Sequence, residues 1–143
     1  MTKRYRTVSA IFYLVAAWAA VLGIGIDSGL INPLDNAPYR EPFASLVAQP
    51  DIQELVLVFA GFIGGLLVAA ALCIVILVSG PLRRNESRAR VLVVILSLGI
   101  LVPQLVTWAR LGVPGYALCV VMTLIGLVVL AAFLLRRIPP TAA

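Results

Sequence analysis

The chain has 143 residues, of which Ala, Val, Ile, Leu, Met, Phe, Trp, Tyr and Cys make up 62% and charged residues only 12%. A soluble domain of this length exposes too much of its surface to hide so much apolar material, so the composition points to an integral membrane protein. The net charge of +5 does not indicate nucleic acid, because the basic residues flank apolar segments and form no stripe interleaved with aromatics.

In chain order, the first apolar segment runs from Val8 to Ile26. Lys3, Arg4 and Arg6 precede it as in a signal peptide, and Ala17-Trp18-Ala19 loosely resembles a cleavage site. The apolar run continues past that point to Ile26, which favours a retained helix. The connection 27–52 follows, broken by Pro33, Pro38, Pro42 and Pro50. Within it Phe43, Leu46 and Val47 fall at helical spacing. They read either as a short amphipathic helix at the interface or as a loop packed over the helix ends.

The second segment runs from Leu55 to Ser79. Asp51 and Glu54, just before it, have the spacing of a capping box, with Asp51 as the N-cap and both acids at the positive end of the helix. Inside it Gly61, Gly65 and Ala69 form a row of small residues four apart. The first helix offers Ala16 and Ala20, and Ala19 and Gly23, as matching rows. Small residues let helix backbones approach where lipid supplies no hydrophobic drive. The simpler use of the row is packing of helices one and two within the chain. The sharper use is a homo-oligomer face or a face for a partner membrane subunit.

After the basic connection 80–90, the third segment runs from Val91 to Trp108 and the fourth from Tyr116 to Leu135. Pro103 frees the carbonyl of Gly99 and predicts a kink. Gln104 beside it lies about 20 Å into the segment, where its amide has to face the bundle because lipid offers no hydrogen-bond partner. Trp108 and Tyr116 suit an interfacial aromatic belt.

Each segment is close to the roughly 20 residues that cross a bilayer core, and backbone groups in lipid must bond within their own segment. The expected fold is therefore an all-α integral membrane protein, a four-transmembrane-helix bundle forming one domain over residues 1–143. Nine of the eleven basic residues fall in the N-terminal tail, the 80–90 connection and the C-terminal tail. The positive-inside rule then puts both termini in the cytoplasm and 27–52 outside. Ten Arg against one Lys fits a GC-rich bacterial genome, so the expected location is the bacterial inner or plasma membrane, multi-pass, with the lipid bilayer as the surrounding partner.

The chain contains no histidine, so the usual general base at neutral pH and the commonest metal ligand are missing. No cofactor and no metal is expected. Cys73 and Cys119 sit about 27 Å apart in depth, too far for a disulfide, and read as small apolar fillers. Candidate reactive residues gather toward one side: Asp27, Glu54, Gln104 and Arg110. Asp27 would sit at the negative end of the first helix, where an acid is disfavoured. Either it belongs to a turn with Ser28 and Gly29, or it needs Arg110 or Arg40 as a partner.

Three functions compete. The first is a non-catalytic accessory, assembly or scaffold component, suggested by the small-residue row and the lack of charge at mid-membrane. The second is an intramembrane enzyme for a lipophilic substrate, an isomerase or cyclase. Its carboxyls Asp27 and Glu54 would work with Gln104 and Arg110, since a carboxyl in an apolar pocket can donate a proton. The third is a small transporter, whose coupling usually requires an acid at mid-membrane.

Overall fold

The computed structural model describes residues 3–32, 34, 43–111 and 115–136. Among the described residues there are five helices: α1 (Lys3–Asp27), α2 (Phe43–Val47), α3 (Pro50–Ser79), α4 (Ser87–Leu111) and α5 (Gly115–Arg136). All but α2 are long and apolar enough to cross a membrane, so the chain is a multi-pass, all-helical bundle. Both described chain ends lie at one end of it, called here the basic end; the 27–50 connection marks the loop end.

α1, α3 and α4 each run a turn or so beyond the apolar segment, and α5 one residue at either end. α3 starts at Pro50 rather than at Leu55. Proline suits the first position of a helix, where its missing N–H goes unused. The expected capping box does not form. Gln49 is the N-cap residue and makes no side-chain cap bond; Asp51 sits in the first turn instead, where it still meets the positive end of the helix.

α1 is the most buried of the four spanning helices and touches the other three. Its inner face presents Val8, Phe12, Val15, Ala16 and Ala19 to the core. α3 meets it with Gly64, Ala71, Ile74 and Val78. α4 contributes Ala89, Val93, Ser97 and Leu101, four residues apart, and α5 contributes Val121, Leu124, Val128, Ala131 and Leu135. These stripes are narrow because lipid accepts the remaining apolar faces. Ser97 is fully buried and donates its hydroxyl to the Val93 carbonyl at 2.7 Å, within its own helix.

The closest approach in the bundle is between α1 and α3. A Cβ on Gly23 would lie 2.6 Å from the Gly64 carbonyl oxygen and 3.1 Å from the Val68 nitrogen, both backbone atoms. A Cβ on Gly64 would lie 3.0 Å from the Gly23 carbonyl oxygen. Backbones in such contact gain van der Waals and weak Cα–H···O interactions. The row Gly61, Gly65, Ala69 is not used here. All three residues are exposed, and a Cβ on Gly61 or Gly65 would meet nothing within 4 Å. The internal-packing expectation for that row is thus corrected: Gly64, one position from Gly65, carries the crossing.

The basic end is tied by side chains. Tyr5 donates its hydroxyl to the Val78 carbonyl at 3.2 Å. Arg90 donates to the Leu135 carbonyl at 3.0 Å and to the Asn85 side chain. Leu82, 1% exposed, plugs the turn between α3 and α4, and Asn85 takes a left-handed conformation at φ 66° to complete it. At the loop end α2 lies against α3. The amphipathic helix expected at Phe43, Leu46 and Val47 does form a helix; Leu46 is exposed, and the Phe43 and Val47 side chains lie outside the described residues. Cys73 and Cys119 are free and exposed, so they face outward and do not fill the core.

The two kinds of glycine separate experimentally. Gly23→Ala should destabilise the bundle by about 1–3 kcal/mol, as overpacking does, because its Cβ would meet two backbone atoms of α3, which cannot swing aside, as well as the Val68 side chain. Gly61→Ala should leave the folded monomer as stable as before or slightly more so. Unfolding in mixed micelles, followed by circular dichroism, reads both; equal losses would contradict the crossing described here.

Candidate functional site

Gln104 occupies α4 one residue after Pro103, and α4 continues as helix through both. The glutamine turns inward toward α1. Its Oε1 accepts a hydrogen bond from the Trp18 indole N–H at 3.2 Å. Trp18 in turn meets Trp108 edge to face, with ring centroids 6.3 Å apart and planes at 68°. Trp18, Gln104 and Trp108 therefore form one interhelical cluster. A buried indole N–H needs a partner, a glutamine in lipid needs one too, and each supplies the other. Trp108 is partly buried and packs against the core.

Trp18 also walls a groove of about 510 Å³ between α1 and α5, with Leu14 and Val21 on one side and Cys119, Thr123 and Leu127 on the other. The groove is almost wholly apolar. Its one hydroxyl, on Thr123, donates back to the Cys119 carbonyl at 2.8 Å. It offers no acid and no base.

Asp27 is the last residue of α1, so the helix does include it. The chain leaves by a turn in which Ser28 and Gly29 donate to Ile24 and Ile26 carbonyls, with Gly29 at φ 74°. The Asp27 carboxylate rests on the Cα of Gly64, where any side chain would collide with it. Neither Arg110 nor any other described residue forms an ion pair with Asp27; Arg40 lies outside the described residues. Arg110 is exposed in the last turn of α4, where a cation suits the negative helix end.

Depth along the helices decides whether these residues can share a site. Glu54 lies ten residues toward the loop end from Gly64, about 15 Å above Asp27. Trp18, and with it the Gln104 amide, lies nine residues of α1 on the other side of Asp27, about 13 Å below it. Arg110 is six residues from Gln104 and turned about 120° away from it around α4. The four candidates thus occupy three levels. Gln104 is engaged with an indole, Glu54 is exposed on α3, and the described acids and cysteines form no cluster of three.

The same measurement exposes a feature that the residue pattern hid. α1 ends level with Gly64 of α3. α4 stops seven residues beyond Gln104, about 10 Å, and α5 begins about 8 Å beyond Val120, which faces Val21 across the groove. All three therefore end near one level. α3 alone continues for fourteen more residues, about 21 Å. Leu55, Leu57, Val58, Phe59, Phe62 and Ile63 on this stretch are each 46–66% exposed. No family model, curated protein or solved structure matches this chain.

With only two tryptophans in the chain, both in the cluster, intrinsic fluorescence reports on it directly. Gln104→Leu should shift the emission and cost about 1 kcal/mol, the size of an interhelical hydrogen bond in a membrane. Trp18→Phe should cost a similar amount, and the double variant less than the sum of the two. Strict additivity would refute the bond.

Proposed function

We propose that this chain is a non-catalytic accessory, assembly or scaffold component of a membrane, and that it docks another transmembrane helix along α3. One observation carries the reading. From Leu55 to Ile63, α3 is apolar, largely exposed and stands beyond the level at which the other spanning helices end. The apolar run from Leu55 to Ser79 measures about 37 Å, against about 30 Å for a bilayer core and for α5. A helix with that mismatch tilts, thickens the bilayer around it, or associates.

The row Gly61, Gly65, Ala69 supports association. It faces away from the bundle, and small residues at an open face allow close backbone approach. A second copy is the simplest occupant, because a two-fold pairing of α3 covers both projecting stretches with one interface. Under this reading the protein is multi-pass in a bacterial cell membrane. The positive-inside rule places the basic end with both termini in the cytoplasm and the projecting end of α3 outside. The enzyme reading, with Asp27, Glu54, Gln104 and Arg110 around one substrate, loses ground because the four stand at three depths. The transporter reading has no described charge at the middle of the core stripes to work with.

Cys73 continues the small-residue row and is exposed, while Cys119 lies on α5. A short bis-maleimide added to native membranes should link two copies through Cys73. Cys73→Ser should abolish the product, Cys119→Ser should leave it, and Gly65→Leu should reduce it about ten-fold by blocking the approach. A chain that stays unlinked in membranes and migrates as a monomer in mild detergent would overturn the pairing.

A further inference from the structure

The first turn of α4 has the wrong charge for its position. A helix N-terminus carries partial positive charge and favours acids, yet α4 has no acid in its first turn and has Arg88 and Arg90 there. Arg90 is accounted for: it bonds the Leu135 carbonyl and Asn85. Arg88 is exposed, and no described residue bonds to it or pairs with it. It stands beside Ser87, on a surface depression of about 420 Å³ floored by Val91 and Leu92. Those two side chains are 57% and 53% exposed and lie one turn deeper along the helix, on the membrane side of Arg88.

Further cations surround the depression. The bond from Arg90 to Leu135 brings the end of α5, with exposed Arg136, beside this turn. Arg83 is exposed in the preceding turn, and Glu86 is the only acid in the 80–90 connection. A cation at the edge of a membrane span with bare apolar residues below it complements an anionic phospholipid: phosphate at the rim, acyl chain against the floor.

We propose that the surface formed by Ser87, Arg88, Val91 and Leu92 binds the phosphate headgroup of an anionic phospholipid, with its acyl chain lying along Val91 and Leu92. Arg88 is the principal cation, its guanidinium suited to two phosphate oxygens, and the Ser87 hydroxyl is a further donor. The proposal rests on the membrane placement of the bundle and is independent of any pairing through α3.

The full chain in neutral detergent is titrated with mixed micelles containing dioleoylphosphatidylglycerol or dioleoylphosphatidylcholine, with thermal unfolding read by tryptophan fluorescence and retained lipid by native mass spectrometry. The native protein should retain and be stabilised by phosphatidylglycerol over phosphatidylcholine. Arg88→Gln should lower that preference about five-fold, the usual worth of one basic residue at an anionic surface. Arg88→Lys should keep most of it, and Arg110→Gln at the opposite end should leave it unchanged. Sodium glycerol 3-phosphate, which has the phosphate without the chains, should give no stabilisation. The proposal is overturned by equal preference in Arg88→Gln and native protein, by an equal loss in Arg110→Gln, or by full stabilisation from glycerol phosphate.

Discussion

The rest of this bundle depends on the backbone contact between Gly23 and Gly64. In lipid a helix gains little by burying leucine, because the surroundings are as apolar as the core. Stability must come from close fit, and nothing fits more closely than two helices whose backbones touch. That contact sets the register of α1 against α3. It puts α1 in the middle of the bundle, where it reaches α4 and α5, and it brings the last turn of α1 to the level of Gly64. The length of α3 left beyond that level follows as a consequence.

The Trp18–Gln104 bond does different work. A single interhelical hydrogen bond in a membrane is worth little, but its geometry is exacting. It selects the rotation of α4 that turns Gln104 inward, so that Pro103 faces outward, exposed. The Gln104 amide beside Pro103 is thus engaged by a neighbouring side chain. Packing by glycine and orientation by an amide are separable tasks, and here they sit on different helix pairs.

The outline of this fold was legible because lipid thickness and backbone hydrogen bonding leave few choices: four long apolar runs give four spanning helices. Helix faces were far less legible. In a soluble helix the polar side identifies the buried side, but here the outward face is as apolar as the inward one. Gly61, Gly65 and Ala69 made the better pattern on paper, yet Gly64 makes the crossing. The two rows differ by one residue, or about 100°, and no contrast in polarity separates them. Trp18 was missed as the partner of Gln104 for a related reason. Spacing along one helix says nothing about a pair 86 residues apart, although an indole in mid-helix was itself a sign that an acceptor had to be near.

The candidate site dissolved on depth. Asp27, Glu54, Gln104 and Arg110 looked like neighbours because each stands near one end of its segment. Segments drawn as equal rods place such residues in one plane. α3 is not an equal rod: its start at Pro50 lifts Glu54 about 15 Å above the turn that holds Asp27. The extra length that separates the acids also bares Leu55 through Ile63. A chain that needed its carboxyls together would gain from a shorter α3. A chain that offers α3 to another helix gains from a longer one, because the added turns extend the contact beyond the thickness that its own bundle fills.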